Sequence, residues 1–173
     1  MDFLELFEKR KSVRKFREKT IDKTVFKKLI ESINSAPSAG NLQAYEIVAV
    51  KEKATKEKLA EAAWGQEFIA QAPLVLVFFA NPARSSRKYG ERGANLYCIQ
   101  DATIAAVYAQ LAAAALGLAS VWVGAFEEED VKKILKAPEQ LRPVAIIPIG
   151  YAAENPDRHE RRKQSDLVSR EHF

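Results

Sequence analysis

Arg10-Lys11-Ser12-Val13-Arg14-Lys15-Phe16 is the stretch on which the reading of this chain turns. It follows a short segment in which Phe3, Leu4, Leu6 and Phe7 predict the apolar side of a helix over 3–9. Arginine offers a planar fork for phosphate oxygens, and serine adds a neutral donor. A run of charge is more commonly a solvated basic turn, so composition alone leaves both uses open.

Outward from this stretch, Asp22 is a good N-cap for a helix whose apolar positions are Phe26, Leu29, Ile30 and Ile33, and Pro37 ends it. Residues 36–43 form a loop of turn formers. Residues 45–50 predict a strand and 55–63 a short helix. The apolar run 74–80 predicts a strand buried on both faces. Residues 81–93 read as a polar, basic loop, and 95–118 as a long alanine-rich helix closed by Gly117. A strand over 120–124, a helix over 127–136 and a strand over 144–151 complete the pattern. Pro148 places that last strand at an edge or a bulge. Strands mixed with helices, with neither repeat nor linker, indicate one α+β domain over 1–173 with a polar tail from about 153.

The chain has 173 residues, 47% of them hydrophobic and 29% charged, which is ample for one core. Its net charge of +4 suits anionic ligands without marking a nucleic-acid binder. Cys98 is the lone cysteine, so no internal disulfide forms. His159 and His172, both in the tail, cannot build a standard zinc site with it. Acidic residues near the N-terminus argue against a signal peptide, and the alanine-rich run 102–123 against a membrane span. The cytoplasm is the expected location. No Gly-x-Ser-x-Gly elbow, Gly-x-Gly-x-x-Gly turn or phosphate loop occurs. An enzyme with this inventory needs an organic cofactor for its chemistry; otherwise the chain is not an enzyme.

Three further segments stand out. Pro37-Ser38-Ala39-Gly40-Asn41-Leu42-Gln43 groups polar side chains able to read the edge of a heterocycle, although turn chemistry uses the same residues. Trp122-Val123-Gly124-Ala125-Phe126 would let a flat ring approach the backbone, or simply complete a tight turn. Arg158-His159-Glu160-Arg161-Arg162-Lys163 is a second cationic cluster, far from Arg10 in sequence.

In this order the segments resemble the nitroreductase family of FMN flavoproteins over nearly the whole chain. Gly65-Gln66, Gln100-Asp101-Ala102, Leu116-Gly117-Leu118 and Ile146-Ile147-Pro148-Ile149-Gly150-Tyr151 add to the likeness. The resemblance implies an α+β nitroreductase-like fold, with a central, mainly antiparallel sheet flanked by helices in an intertwined homodimer. It implies bound FMN, NAD(P)H as hydride donor, ping-pong transfer through the flavin and a nitroaromatic, quinone or similar acceptor. It implies that Arg10, Lys11, Ser12 and Arg14 hold the phosphate and ribityl end, joined by Arg161 or Arg162 of a tail that binds FMN or the partner. Gln66 would face the pyrimidine end, and Val123, Gly124 and Ala125 the other edge. Ser38, Ala39, Asn41 and Gln43 would come from the partner subunit. No catalytic side chain, metal, nucleic acid or membrane is implied. Ala102, Ala105, Ala106, Ala109, Ala112 and Ala113 are expected at the dimer interface. Other expectations are a flavin-binding protein without turnover, a relative performing dehalogenation or flavin breakdown, and, more remotely, a basic nucleic-acid-binding module.

Overall fold

The computed structural model describes residues 3–173. Met1, Asp2 and the side chain of Phe3, the last predicted on the apolar side of the first helix, lie outside the described residues. In chain order the elements are α1 (Phe3–Lys9), α2 (Lys23–Asn34), β1 (Tyr45–Val50), α3 (Lys53–Ala62), α4 (Phe68–Gln71), β2 (Leu74–Ala80), α5 (Pro82–Arg92), α6 (Cys98–Ala115), β3 (Ala119–Ser120), α7 (Glu128–Leu135) and β4 (Arg142–Gly150).

The strands form one sheet in the order β1-β2-β4-β3, and every adjacent pair is antiparallel. Strand β2 is buried along its whole length, as its unbroken apolar run predicts. Its side chains alternate between two cores. Leu74, Leu76, Phe78 and Ala80 join Leu29 and Ile33 of α2 and the alanines of α6. Val75, Val77 and Phe79 join Leu59 of α3 and Val131 of α7. Each large side chain so buried stabilises the fold by roughly 1.5–3 kcal/mol. The architecture is α+β, with helices packed on both faces of the sheet.

Pro148 lies neither at an edge nor at a bulge. It pairs with Val75 in β4, which runs between β2 and β3. Ile146 turns both its N–H and its C=O to Val123 at 3.0 Å, so Pro148, two residues on, faces the same side. There the third strand is interrupted between Ser120 and Val123, and no ladder donor is missed. The bulge lies elsewhere: Phe78 pairs with Ala145 but Phe79 with Pro143, leaving Val144 as the additional residue. The strand predicted over 120–124 is reduced to β3 and this single bridge.

The predicted loop 81–93 is instead largely helix α5. Asn81 caps it by accepting from the Arg84 N–H at 3.0 Å, and Pro82 occupies the first turn. Its polar sequence carries little of the apolar periodicity by which helices are read. Gly90, at φ 54 and ψ −141, breaks it, and a π turn at Gly93–Tyr97 leads into α6.

The alanine face of α6 is also used differently from expectation. Ala102, Ala105, Ala106, Ala109, Ala112 and Ala113 are all buried within the chain, against β2 and β4. Alanine there lets a helix lie close over a sheet, so this face is core and not a surface for a partner.

Candidate functional site

The cationic stretch leaves α1 where the Arg10 N–H donates to the Leu6 carbonyl, and it then runs along the rim of the sheet. Ser12 bridges Ser120 in parallel, the Val13 N–H donates to the Ser120 carbonyl at 3.1 Å, and Phe16 bridges Ala152. Val13 and Phe16 point into the core, which leaves Arg10, Lys11, Ser12 and Arg14 part-buried or exposed. The returning chain braces the same stretch. Lys11 Nζ donates to Asn155 Oδ1 at 2.9 Å, the Arg14 N–H to Glu154 Oε1, and the Arg158 guanidinium to the Phe7 carbonyl at 3.3 Å. Burial, and then the like charges of Arg161 and Arg158, pull the Arg10 guanidinium below its ordinary range. The tail therefore adds positive charge beside Arg10, and no carboxylate pairs with Arg10 among the described residues. A cavity of about 210 Å³ opens beside Arg10, Lys11, Ser120 and Asn155.

Gln66 lies beyond a tight reversal in which Trp64 (φ 58) and Gly65 (φ 77) both adopt left-handed backbone. Its Nε2 donates to the carbonyls of Ala63 at 2.9 Å and Ala125 at 3.1 Å. Two segments some sixty residues apart in sequence thus form one unit. Val123 gives its N–H and C=O to Ile146 and is buried. Gly124 and Ala125 are exposed, and their N–H groups have no partner in the chain among the described residues. A cavity of about 680 Å³ lies between Arg14 and Gln66, with Phe68 in its wall beneath the Arg14 guanidinium.

The loop carrying Ser38, Ala39, Asn41 and Gln43 stands apart. It borders a third cavity, of about 540 Å³, which shares no lining residue with the other two. Much of its polar chemistry is internal. Ser38 Oγ accepts from the Gln43 N–H at 2.9 Å, and Gln43 Nε2 donates to the Asn41 carbonyl at 3.1 Å. Gly40, Asn41 and Gln43 all have positive φ. Asp101 holds this backbone in place: one carboxylate oxygen accepts from the Ala39 N–H at 2.9 Å and the other from the Ala44 N–H at 3.3 Å. Asp101 is 2% exposed. Its signal in the sequence was a carboxylate inside an otherwise apolar helix. Glu154 and Asn155 gave no such signal.

Within one chain, then, Arg10 and Lys11 line one cavity, with Ser12 next to them in sequence and the charge of Arg161 acting on Arg10, while Arg14 and Gln66 line another, with Ala125 bonded to Gln66. Ser38 to Gln43 lie elsewhere, and Arg162 is exposed in the tail.

An antiparallel sheet covered by helices on both faces, with a cationic segment bridged along its rim, is the architecture in which this chain superposes on solved nitroreductases. The model of the nitroreductase family matches residues 7–67 and 62–151, and the chain belongs to that family. It is 31% identical over 173 residues to a Thermus thermophilus NADH dehydrogenase, covering 84% of each chain. It is 28% identical to the Bacillus subtilis FMN reductase [NAD(P)H], covering 94% of this chain and 71% of that one. The solved FMN-dependent nitroreductase of Clostridium difficile superposes with a TM-score of 0.84 at 27% identity, covering 99% of this chain and all of the other. Among the described residues no helix is long and apolar enough to cross a membrane.

Proposed function

We propose that this protein is an FMN-dependent oxidoreductase that draws hydride from NAD(P)H, passes it to a small-molecule acceptor, and works as a cytoplasmic homodimer. The observation that carries this reading is the cavity edge lined by Arg10 and Lys11, where the part-buried Arg10 pairs with no carboxylate among the described residues and has the charges of Arg161 and Arg158 near it. Cations gathered near a cavity without an acid paired to Arg10 favour an anion among them, and a phosphate dianion fits. The names of the relatives, an FMN reductase and an FMN-dependent nitroreductase, supply the anion's identity.

When bound, FMN supplies a ring that accepts a hydride from the nicotinamide and yields it to a nitroaromatic, quinone or similar acceptor. Arg10, Ser12 and Lys11 hold its phosphate and ribityl end, and we assign the tail contact to Arg161 rather than Arg162. Arg14 and Gln66 face the ring across their shared cavity. Gln66 has already given both hydrogen bonds of its amide nitrogen to Ala63 and Ala125, so its Oε1 is the atom left to accept. Gly124 and Ala125, next to the Gln66 contact in sequence, offer unpartnered N–H groups for negative charge on a reduced ring. Val123 anchors that stretch to the sheet.

Ser38, Ala39, Asn41 and Gln43 share no cavity with these groups, which supports their delivery from a second copy. The outward ridge of α6, with Ile104, Val107 and Leu111, is apolar opposite the alanine face and gives such a copy a seat. Val107 is 41% exposed.

Purified protein is expected to be yellow, to take up added FMN, to lose flavin absorbance under anaerobic NAD(P)H, and to sediment as a dimer. Failure to bind FMN would sink the proposal. Arg10→Ala should weaken FMN binding by on the order of tenfold or more, the worth of one charge-assisted hydrogen bond. Unchanged affinity would place the phosphate elsewhere.

A further inference from the structure

Helix α5 carries Arg84, Arg87, Lys88 and Arg92 against one acid, Glu91. None of them enters an ion pair among the described residues. The other helices with surface charge each hold at least one ion pair within the helix: Lys9 with Glu5 on α1, Lys27 with Glu31 on α2, Lys53 with Glu57 on α3, and Lys132 with Glu129 on α7. On α5, Arg84, Arg87 and Lys88 fall at i, i+3 and i+4, where like charges share a face and repel.

That face adjoins the 38–43 loop. Arg84 Nη1 donates to the Gln43 carbonyl at 3.2 Å, and a Cβ added at Gly40 would come within 2.8 Å of Lys88 Nζ. Arg87 is exposed and touches no other charged or aromatic group among the described residues. Beside the cations lies an aromatic pair. Tyr89 and Tyr97 meet edge to face at 5.1 Å, and Arg92 sits over the Tyr97 ring at 5.5 Å while donating to its hydroxyl at 3.1 Å. Tyr97 walls the cavity of about 540 Å³ that Ser38 and Ala39 also border. An uncompensated cationic stripe beside an aromatic-walled cavity matches one kind of ligand: a phosphorylated aromatic nucleotide.

We propose that this face of α5 binds the adenosine half of the dinucleotide donor, with Arg84, Arg87 and Lys88 on its 2′-phosphate, so that NADPH is preferred over NADH. The proposal rests on the oxidoreductase reading for the identity of the donor. It does not require flavin to be present. A 2′-phosphate adds nearly two negative charges that NADH lacks, and the stripe holds three cations with no acid of its own to neutralise them.

The test is calorimetry on the full chain with two probes that lack nicotinamide, 2′-phospho-ADP-ribose and ADP-ribose. The phosphorylated probe should bind tighter by on the order of tenfold or more, the worth of one charge-assisted hydrogen bond. The difference should shrink with added salt. Arg87→Gln, which breaks no internal contact, should remove part of it, and the triple variant R84Q/R87Q/K88Q should remove all of it. Equal binding of the two probes, or a preference that survives in the triple variant, overturns the proposal. FMN uptake is read separately by absorbance. Its failure in the unmodified chain sinks the oxidoreductase reading and leaves the probe result standing. Its loss only in the triple variant would show that the stripe serves the flavin phosphate, and would also overturn the proposal.

Discussion

Replacing Asp101 by alanine removes the one side chain, among the described residues, whose hydrogen bonds join α6 to the backbone at Ala39 and Ala44. Its two oxygens accept from the N–H groups of Ala39 and Ala44, and Ala44 is fully buried. A hydrogen bond to a charged group contributes about 1.5–3 kcal/mol, and a buried donor left unpaired costs a similar amount. Because the 3.3 Å bond is the weaker, Asp101→Ala should cost about 3–5 kcal/mol in urea unfolding. In a chain of this size that lowers Tm by roughly 10 °C or more. Asp101→Asn keeps one acceptor but turns an NH₂ group toward the other N–H, and should lose about half as much. Hydrogen exchange gives the more pointed readout. The Ala39 and Ala44 amides should lose protection in the alanine variant, while amides of β2 lose only what the fall in global stability takes. A cost below about 1 kcal/mol, with the Ala44 amide still protected, would refute the anchoring role.

Two other perturbations follow from the same region. Gly40→Ala places a side chain at φ +55 and against the Tyr89 hydroxyl and Lys88 Nζ, so it should cost about 1–3 kcal/mol in thermal unfolding; no loss would mean α5 moves freely off the loop. The Tyr45 hydroxyl is buried with no partner, so Tyr45→Phe should be neutral or stabilising by up to about 2 kcal/mol, and clear destabilisation would reveal a missed partner. Burial, and then the Asp101 charge, raise the Tyr45 ionisation above its ordinary value of 10.0. The folded chain then holds this proton after the unfolded chain has released it. Its contribution is fully present below pH 10 and is lost as pH climbs through the folded value, and Tyr45→Phe should flatten that part of a stability–pH curve.

Much of the fold was legible because it rests on local pattern. The unbroken apolar run 74–80 could only be a strand covered on both faces, and Asp22 with the spacing of Phe26, Leu29, Ile30 and Ile33 marked α2. The cationic character of residues 10–14 and the turn chemistry of 38–43 were equally plain. Helix α5 was hidden because its stability comes from an Asn81 cap and from packing on the 93–97 turn that follows it, neither of which leaves an apolar period. Pro148 misled for a related reason. A proline excludes only the donor it lacks, and whether a donor was needed depended on a gap in the neighbouring strand.

By itself, then, the sequence determined which segments were chemically equipped, through charge, turn residues and hydrophobic period. Only the tertiary structure decided what each was equipped to meet. It laid Arg10 beside Arg161, tied Gln66 to the Ala125 carbonyl, turned the alanines of α6 into the core, and kept Ser38 to Gln43 away from Arg14. Those outcomes depend on which surfaces bury one another, and burial is a property of the whole packed chain rather than of any one stretch. The run Arg10–Phe16 shows the difference. Its charges could be read one by one, but its direction along the sheet rim comes from Val13 and Phe16 entering the core and from the pairing of Ser12 with Ser120.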